Sequence, residues 1–152
     1  MHLARLAALA LAAVLAAACS GSGASPSPSQ AGPSAPASAD PIRIEVELTD
    51  ALKIELASLI VPAGRPVTFV VRNAGSTEHE FVLGDEAEQA AHELEMAGSM
   101  GMTHDEAMGI GVKPGATKEL TVTFDEPGSI LAGCHIPGHY ASGMKAALEV
   151  QG

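Results

Sequence analysis

Residues 42–75 read Ile-Arg-Ile-Glu-Val-Glu-Leu-Thr-Asp-Ala-Leu-Lys-Ile-Glu-Leu-Ala-Ser-Leu-Ile-Val-Pro-Ala-Gly-Arg-Pro-Val-Thr-Phe-Val-Val-Arg-Asn-Ala-Gly. Ile42, Ile44, Val46 and Leu48 alternate with Arg43, Glu45 and Glu47, the period-two pattern of a strand with one buried face. The same alternation through Leu52, Ile54 and Leu56 predicts a strand over 52–61, ended by the turn signal Pro62-Ala63-Gly64. The β-branched and aromatic run Val67-Thr68-Phe69-Val70-Val71 places a further strand over 66–73, with Asn73-Ala74-Gly75 as the next turn. Working outward, 80–83, 110–112, 118–124, 129–134 and 145–150 have the same character and bring the total to roughly eight short strands. Many short strands separated by Gly and Pro turns predict an all-β fold, a β-sandwich. One stretch departs from it: residues 85–98 are rich in Ala, Glu, Leu and Gln, with Asp85 placed to cap a helix and Gly98 to end it.

Upstream of Pro41 the composition changes. Residues 1–18 carry Arg5, an apolar run from Leu6 to Leu15, and Ala16-Ala17-Ala18 before Cys19. That is the layout of a secretory signal, and the run is shorter than the ~20 residues a spanning helix needs. The Cys after small residues resembles a bacterial lipoprotein signal, which implies acylation of Cys19 and a membrane anchor. Residues 19–40 are almost wholly Ser, Ala, Pro and Gly, a composition too poor in apolar area to fold, and are expected to be a disordered tether. The folded domain is expected over 41–152, displayed on the extracytoplasmic side of a membrane.

The 152 residues carry 8 Lys and Arg against 18 Asp and Glu, a net charge of -10. Such a surface repels a phosphate backbone, so nucleic-acid binding is excluded. An exported chain usually pairs its cysteines, yet Cys19 and Cys134 are the only two here. With Cys19 acylated, Cys134 is a lone thiol that must be buried or held by a metal.

Residues 134–144, Cys-His-Ile-Pro-Gly-His-Tyr-Ala-Ser-Gly-Met, offer a thiolate, an imidazole and a thioether in Cys-x4-His-x4-Met spacing. Such a donor set suits a soft, redox-active ion, copper above all, and a trigonal site needs one more His from elsewhere. His79, at the start of the strand after the turn 73–77, is the candidate.

Val61-Pro62-Ala63-Gly64, Val67-Thr68-Phe69, Asn73-Ala74-Gly75 and His79 resemble the first half of plastocyanin-like cupredoxins, and the Cys134–His139–Met144 loop resembles their second half, with spacing nearest the rusticyanin-like and sulfocyanin-like members. The resemblance implies a Greek-key β-sandwich holding one copper ion per chain. His79, Cys134 and His139 would be equatorial ligands and Met144 the axial one. Asn73 would brace the Cys loop, and Pro137-Gly138 would set the turn presenting His139 near the surface. The implied role is single-electron transfer through Cu(II)/Cu(I), with no substrate chemistry and no small-molecule substrate. The residues before Cys134, Ile130-Leu131-Ala132-Gly133, stand where relatives often have aromatics. His135 reads as a loop histidine beside the site.

No Lys or Arg occurs between Arg72 and Lys113, where nine carboxylates lie. This acidic face suits a basic redox partner protein. Within it, His92, Met96, Met100, Met102, His104 and Met108 admit two readings. They are an apolar helix face packed on the sandwich, or a thioether and imidazole arm binding Cu(I). The second reading goes with an alternative role, copper buffering or delivery in copper homeostasis or resistance.

Overall fold

The computed structural model describes residues 41–98 and 103–152. The signal-like segment 1–18, the tether 19–40 with Cys19, and Met100 and Met102 lie outside the described residues. Nine strands and one helix follow in chain order: β1 (Ile42–Thr49), β2 (Lys53–Leu56), β3 (Ile60–Pro62), β4 (Pro66–Asn73), β5 (His79–Gly84), α1 (Glu86–Gly98), β6 (Gly109–Val112), β7 (Thr117–Thr123), β8 (Gly128–Gly133) and β9 (Lys145–Gln151). They form a four-stranded sheet in the order β2-β1-β4-β7 and a five-stranded sheet in the order β3-β9-β8-β5-β6. This is the all-β sandwich with a helical insertion that the patterning predicts.

Ile44, Val46 and Leu48 face inward as the alternation requires, against Val67, Phe69 and Val71 of β4 and Phe81 of β5. The Phe69 and Phe81 rings meet at 5.3 Å, tilted by 48°. Burial of this apolar area, at ~25 cal/mol per Å2, is what drives the two sheets together.

The expected single strand over 52–61 is instead two strands in different sheets. Leu52 adopts φ 58° in the turn after β1. Ala57 N–H still donates to Glu45 O, but Glu149 N–H donates to Leu59 O, so the chain has changed sheets within two residues. The cause is Ser58, whose hydroxyl accepts from Ile60 N–H and donates to Ile60 O, giving the backbone a local alternative to the ladder. β3 then pairs in parallel with β9.

α1 begins at the expected cap. Asp85 Oδ1 accepts from Ala87 N–H at 2.8 Å and Glu88 N–H at 2.9 Å, and Glu88 Oε2 accepts from Asp85 N–H at 2.7 Å, a reciprocal capping box. Its buried stripe is Gln89, His92 and Met96. Every residue of β5 is buried, because the sandwich covers one face and α1 lies beside the other.

Candidate metal centre

β5 opens on His79 and β8 delivers Cys134 just past its end; the loop to β9 carries His139 and Met144. Cys134, His79 and Met144 are fully buried and His139 is half-buried. The loop is a series of hydrogen-bonded turns. His139 N–H donates to Ile136 O at 2.9 Å across Pro137-Gly138, and Gly138 has φ 87°, a type II turn that favours glycine at this corner. Cys134 N–H donates to Met144 O at 3.2 Å and Met144 N–H donates to His139 O at 3.0 Å, so the loop closes on itself.

One donor atom from each of His79, Cys134 and His139 lies within 4.8 Å of the others. Cys134 Sγ stands 4.0 Å from His79 Nδ1 and 3.4 Å from His139 Nδ1. For bonds of about 2.3 Å to sulfur and about 2.0 Å to nitrogen, a trigonal arrangement separates sulfur from nitrogen by about 3.7 Å. The observed distances bracket that value, so these residues fit a first-row ion. Thiolate and imidazole with a buried thioether alongside is a set for copper rather than for a hard cation.

The other nitrogen of His79, Nε2, faces Asp50 Oδ1 at 3.6 Å and Thr77 Oγ1 at 3.4 Å, the outward anchorage characteristic of metal-binding imidazoles. Asp50 is itself fixed by Ser76 and Thr77, whose hydroxyls and backbone N–H groups all donate to it, and these bonds hold its carboxyl well below the usual carboxylate range. Burial keeps the His79 and His139 imidazoles below their ordinary value, so they stay neutral and able to ligate near pH 7. Burial also pushes the metal-free Cys134 thiol up to about 11. The sulfur accepts a hydrogen bond from Glu80 N–H at 3.3 Å.

Asn73 braces a different loop from the one expected. Its amide donates to Thr77 O at 2.8 Å and to Val112 O at 2.9 Å, and accepts from Gly75 N–H at 2.8 Å. It therefore fixes the turn 73–77 that leads into His79, not the Cys134 loop. Glu78 accepts from Thr103 Oγ1 at 2.6 Å.

His135 was legible only as a neighbour; the structure makes it the joint between loop and helix. Gln89 spends its amide nitrogen on Val82 O and Leu131 O, so its oxygen must accept from His135 Nε2, 2.6 Å away. His135 Nδ1 faces Glu93 Oε2 at 2.5 Å, and the ring stacks on Tyr140 at 4.4 Å. Both nitrogens are thus engaged by protein. The same packing accounts for the glycine directly before Cys134: a Cβ at Gly133 would stand 2.5 Å from Gln89 Oε1 and 2.7 Å from the Tyr140 ring.

Of the six insertion residues, Met96 is buried beneath α1 and Met108 is half-buried against the sandwich core. His92 and His104 come together, their rings 5.9 Å apart, with the carboxylates Glu95 and Glu106 beside them.

Residues 42–151 match the model of the family described as copper binding proteins, plastocyanin/azurin family. The copper-resistant cuproprotein CopI of Rubrivivax gelatinosus is 36% identical over 108 residues, covering 71% of this chain and 66% of that protein. The protein of that name from Pseudomonas aeruginosa is 35% identical, covering 79% and 82% respectively. Among solved structures, reduced auracyanin from Roseiflexus castenholzii superposes with a TM-score of 0.65 at 25% identity, covering 72% of this chain and 97% of that one. Auracyanin A of Chloroflexus aurantiacus, a "blue" copper protein, gives 0.55 at 26% identity, covering 73% and 99%. With a two-sheet fold, a thiolate and two imidazoles at copper spacing, and these likenesses, the chain is a cupredoxin, a copper-binding member of the plastocyanin/azurin family.

Proposed function

We propose that this cupredoxin holds copper outside the cytoplasm as part of copper resistance, with His79, Cys134 and His139 as its strong ligands and Met144 as a weak fourth. The observation that carries the reading is the convergence of those three donors from β5 and the β8–β9 loop onto one buried point. The names of the relatives, copper-resistant cuproproteins, support resistance over the carrier role that the ligand set first suggests. Copper supplies the one-electron Cu(II)/Cu(I) chemistry. The chain's own residues exclude water from Cys134, keep both imidazoles neutral and fix the direction of His79 through Asp50 and Asn73. Cys19 would tether the domain to a membrane, on the extracytoplasmic face. The chain would have no substrate chemistry of its own.

Electron transfer is kept as a second reading because His139, alone among the four donors, is half-exposed and would provide an edge for electron passage. A copper-sensitive strain lacking the gene separates the two. Restored growth on copper with the wild-type chain and none with Cys134→Ser is the expected result. Equal rescue by both chains would overturn the proposal.

A further inference from the structure

We propose that His92, Glu95, His104 and Glu106 form a second metal site, separate from the Cys134 centre, that takes a divalent first-row cation such as Zn(II) or Cu(II). His92 and Glu95 lie on α1, whereas His104 and Glu106 lie on the segment leading into β6, so two successive segments of the chain bring the four together. His92 Nδ1 stands 4.0 Å from Glu95 Oε2 and 4.0 Å from Glu106 Oε2, and His104 Nε2 stands 3.6 Å from Glu95 Oε1 and closer still to Glu106 Oε1. Tetrahedral ligands on bonds of about 2.1 Å are separated by about 3.4 Å; one donor atom from each of His92, Glu95 and Glu106 lies within 4.8 Å of the others, so a small inward movement would close these three around an ion, with His104 beside the two carboxylates as the fourth donor.

The acidic character alone would be an ordinary solvated face. Buried His92 sets this cluster apart: it is 7% exposed and its Nε2 has no hydrogen-bond partner. That nitrogen faces the buried carboxylate of Glu80 at 3.7 Å while Nδ1 faces the two outer carboxylates. His79 has the same arrangement, with Nδ1 toward Cys134 and Nε2 toward Asp50. A metal at Nδ1 would fix the proton on Nε2, where Glu80 stands to receive it. No Lys or Arg lies anywhere in the sequence from 73 to 112, so no basic side chain of this stretch offsets the two converging carboxylates. The site opens on a cleft of about 340 Å3 that Glu95, Glu106 and Met108 line, giving an ion a way in.

The donor atoms also decide which ion. Two imidazoles and two carboxylates are borderline-to-hard ligands, suited to Zn(II) or Cu(II), whereas Cu(I) prefers sulfur. Met96 and Met108 pack against the protein interior, so the insertion's described chemistry is that of a divalent cation rather than of a thioether arm. Glu80 stands between the two centres, its backbone N–H on Cys134 and its carboxylate beside His92.

The test uses the full chain with its first centre filled by Cu(II) and excess metal removed, followed by equilibrium dialysis against Zn(II) with metal counted by mass spectrometry. One zinc per chain beyond the copper is expected at micromolar free zinc, with the visible band retained. Glu95→Gln with Glu106→Gln, both at exposed positions, should weaken zinc binding roughly tenfold or more without touching the band, and His104→Ala should do the same. Met100→Leu with Met102→Leu should leave zinc binding unchanged. The proposal is overturned by wild-type protein that takes no zinc beyond its copper, by zinc that displaces the copper band, by carboxylate variants that bind as well as wild type, or by zinc binding lost in the methionine variant. The band reports the first centre and the zinc count reports the second, so failure of one is visible apart from the other.

Discussion

Glu80 donates its backbone N–H to Cys134 Sγ at 3.3 Å, and its own carboxylate, almost wholly buried, accepts from the backbone N–H of His135 at 3.2 Å. The strand residue after one proposed ligand thus holds both the sulfur of another and the peptide that follows it. Burial raises the Glu80 carboxyl above its ordinary value. An ionised carboxylate this near the sulfur favours Cu(II), so Glu80→Gln should raise the reduction potential. The wild-type potential should itself rise as pH falls through the raised Glu80 value, and that component should be missing in the variant. Spectroelectrochemistry across pH checks this; identical profiles would contradict it.

Burial of Cys134, with its thiol pushed up to about 11, protects this free cysteine from reaction. Metal-free protein should alkylate with iodoacetamide far more slowly at pH 8 when folded than in denaturant. Copper must displace the thiol proton, so below about 11 and above the range where the histidines titrate, apparent affinity should climb about tenfold per pH unit. Competition with a chelator at several pH values measures the slope. A flat profile would mean that the thiolate is not a ligand.

Asp50 tests how the His79 end is held. Its carboxyl is lowered chiefly by the Ser76 hydroxyl and backbone N–H, so ionisation favours the folded state. That contribution is in place above the ordinary carboxylate value of about 4 and is lost as pH falls through the lower folded-state value. Metal-free Asp50→Asn should therefore melt below wild type at pH 7, with the gap narrowing under strong acid. A gap independent of pH, or none at pH 7, would show that these hydrogen bonds do not hold the turn.

Much of this was legible in sequence because the relevant signals are local. Ile44, Val46 and Leu48 declare their face by alternation, and Asp85 with Glu88 declares a helix start. The eleven residues from Cys134 to Met144 carry three donor types at one spacing. What escaped was decided by contacts between distant segments. The split at Ser58 looks like continued alternation until β9 is known to lie alongside. Asn73 lies near the metal-binding loops in sequence pattern, but only the position of Val112 reveals which loop it braces. Among the insertion's histidines and methionines, sequence does not tell a packed thioether from a free one, whereas the fold turns Met96 inward and sets carboxylates beside His92 and His104.

Gly133 is where helix, loop and strand meet most tightly, and its replacement measures that joint. Gly133→Ala places a methyl against Gln89 and Tyr140, an overpacking expected to cost about 1–3 kcal/mol. Because Gln89 orients His135 and Tyr140 stacks on it, the visible spectrum should shift along with the lowered melting temperature. Unchanged stability would mean that α1 is not packed on β8 as described.

The direct test of the copper centre is the sulfur bond itself. Copper-loaded wild-type protein should show an intense visible charge-transfer band and a copper–sulfur bond by X-ray absorption, both absent from Cys134→Ser. Copper bound in wild type with only nitrogen and oxygen neighbours, or an undiminished band in Cys134→Ser, would contradict the assignment of His79, Cys134 and His139 as its ligands.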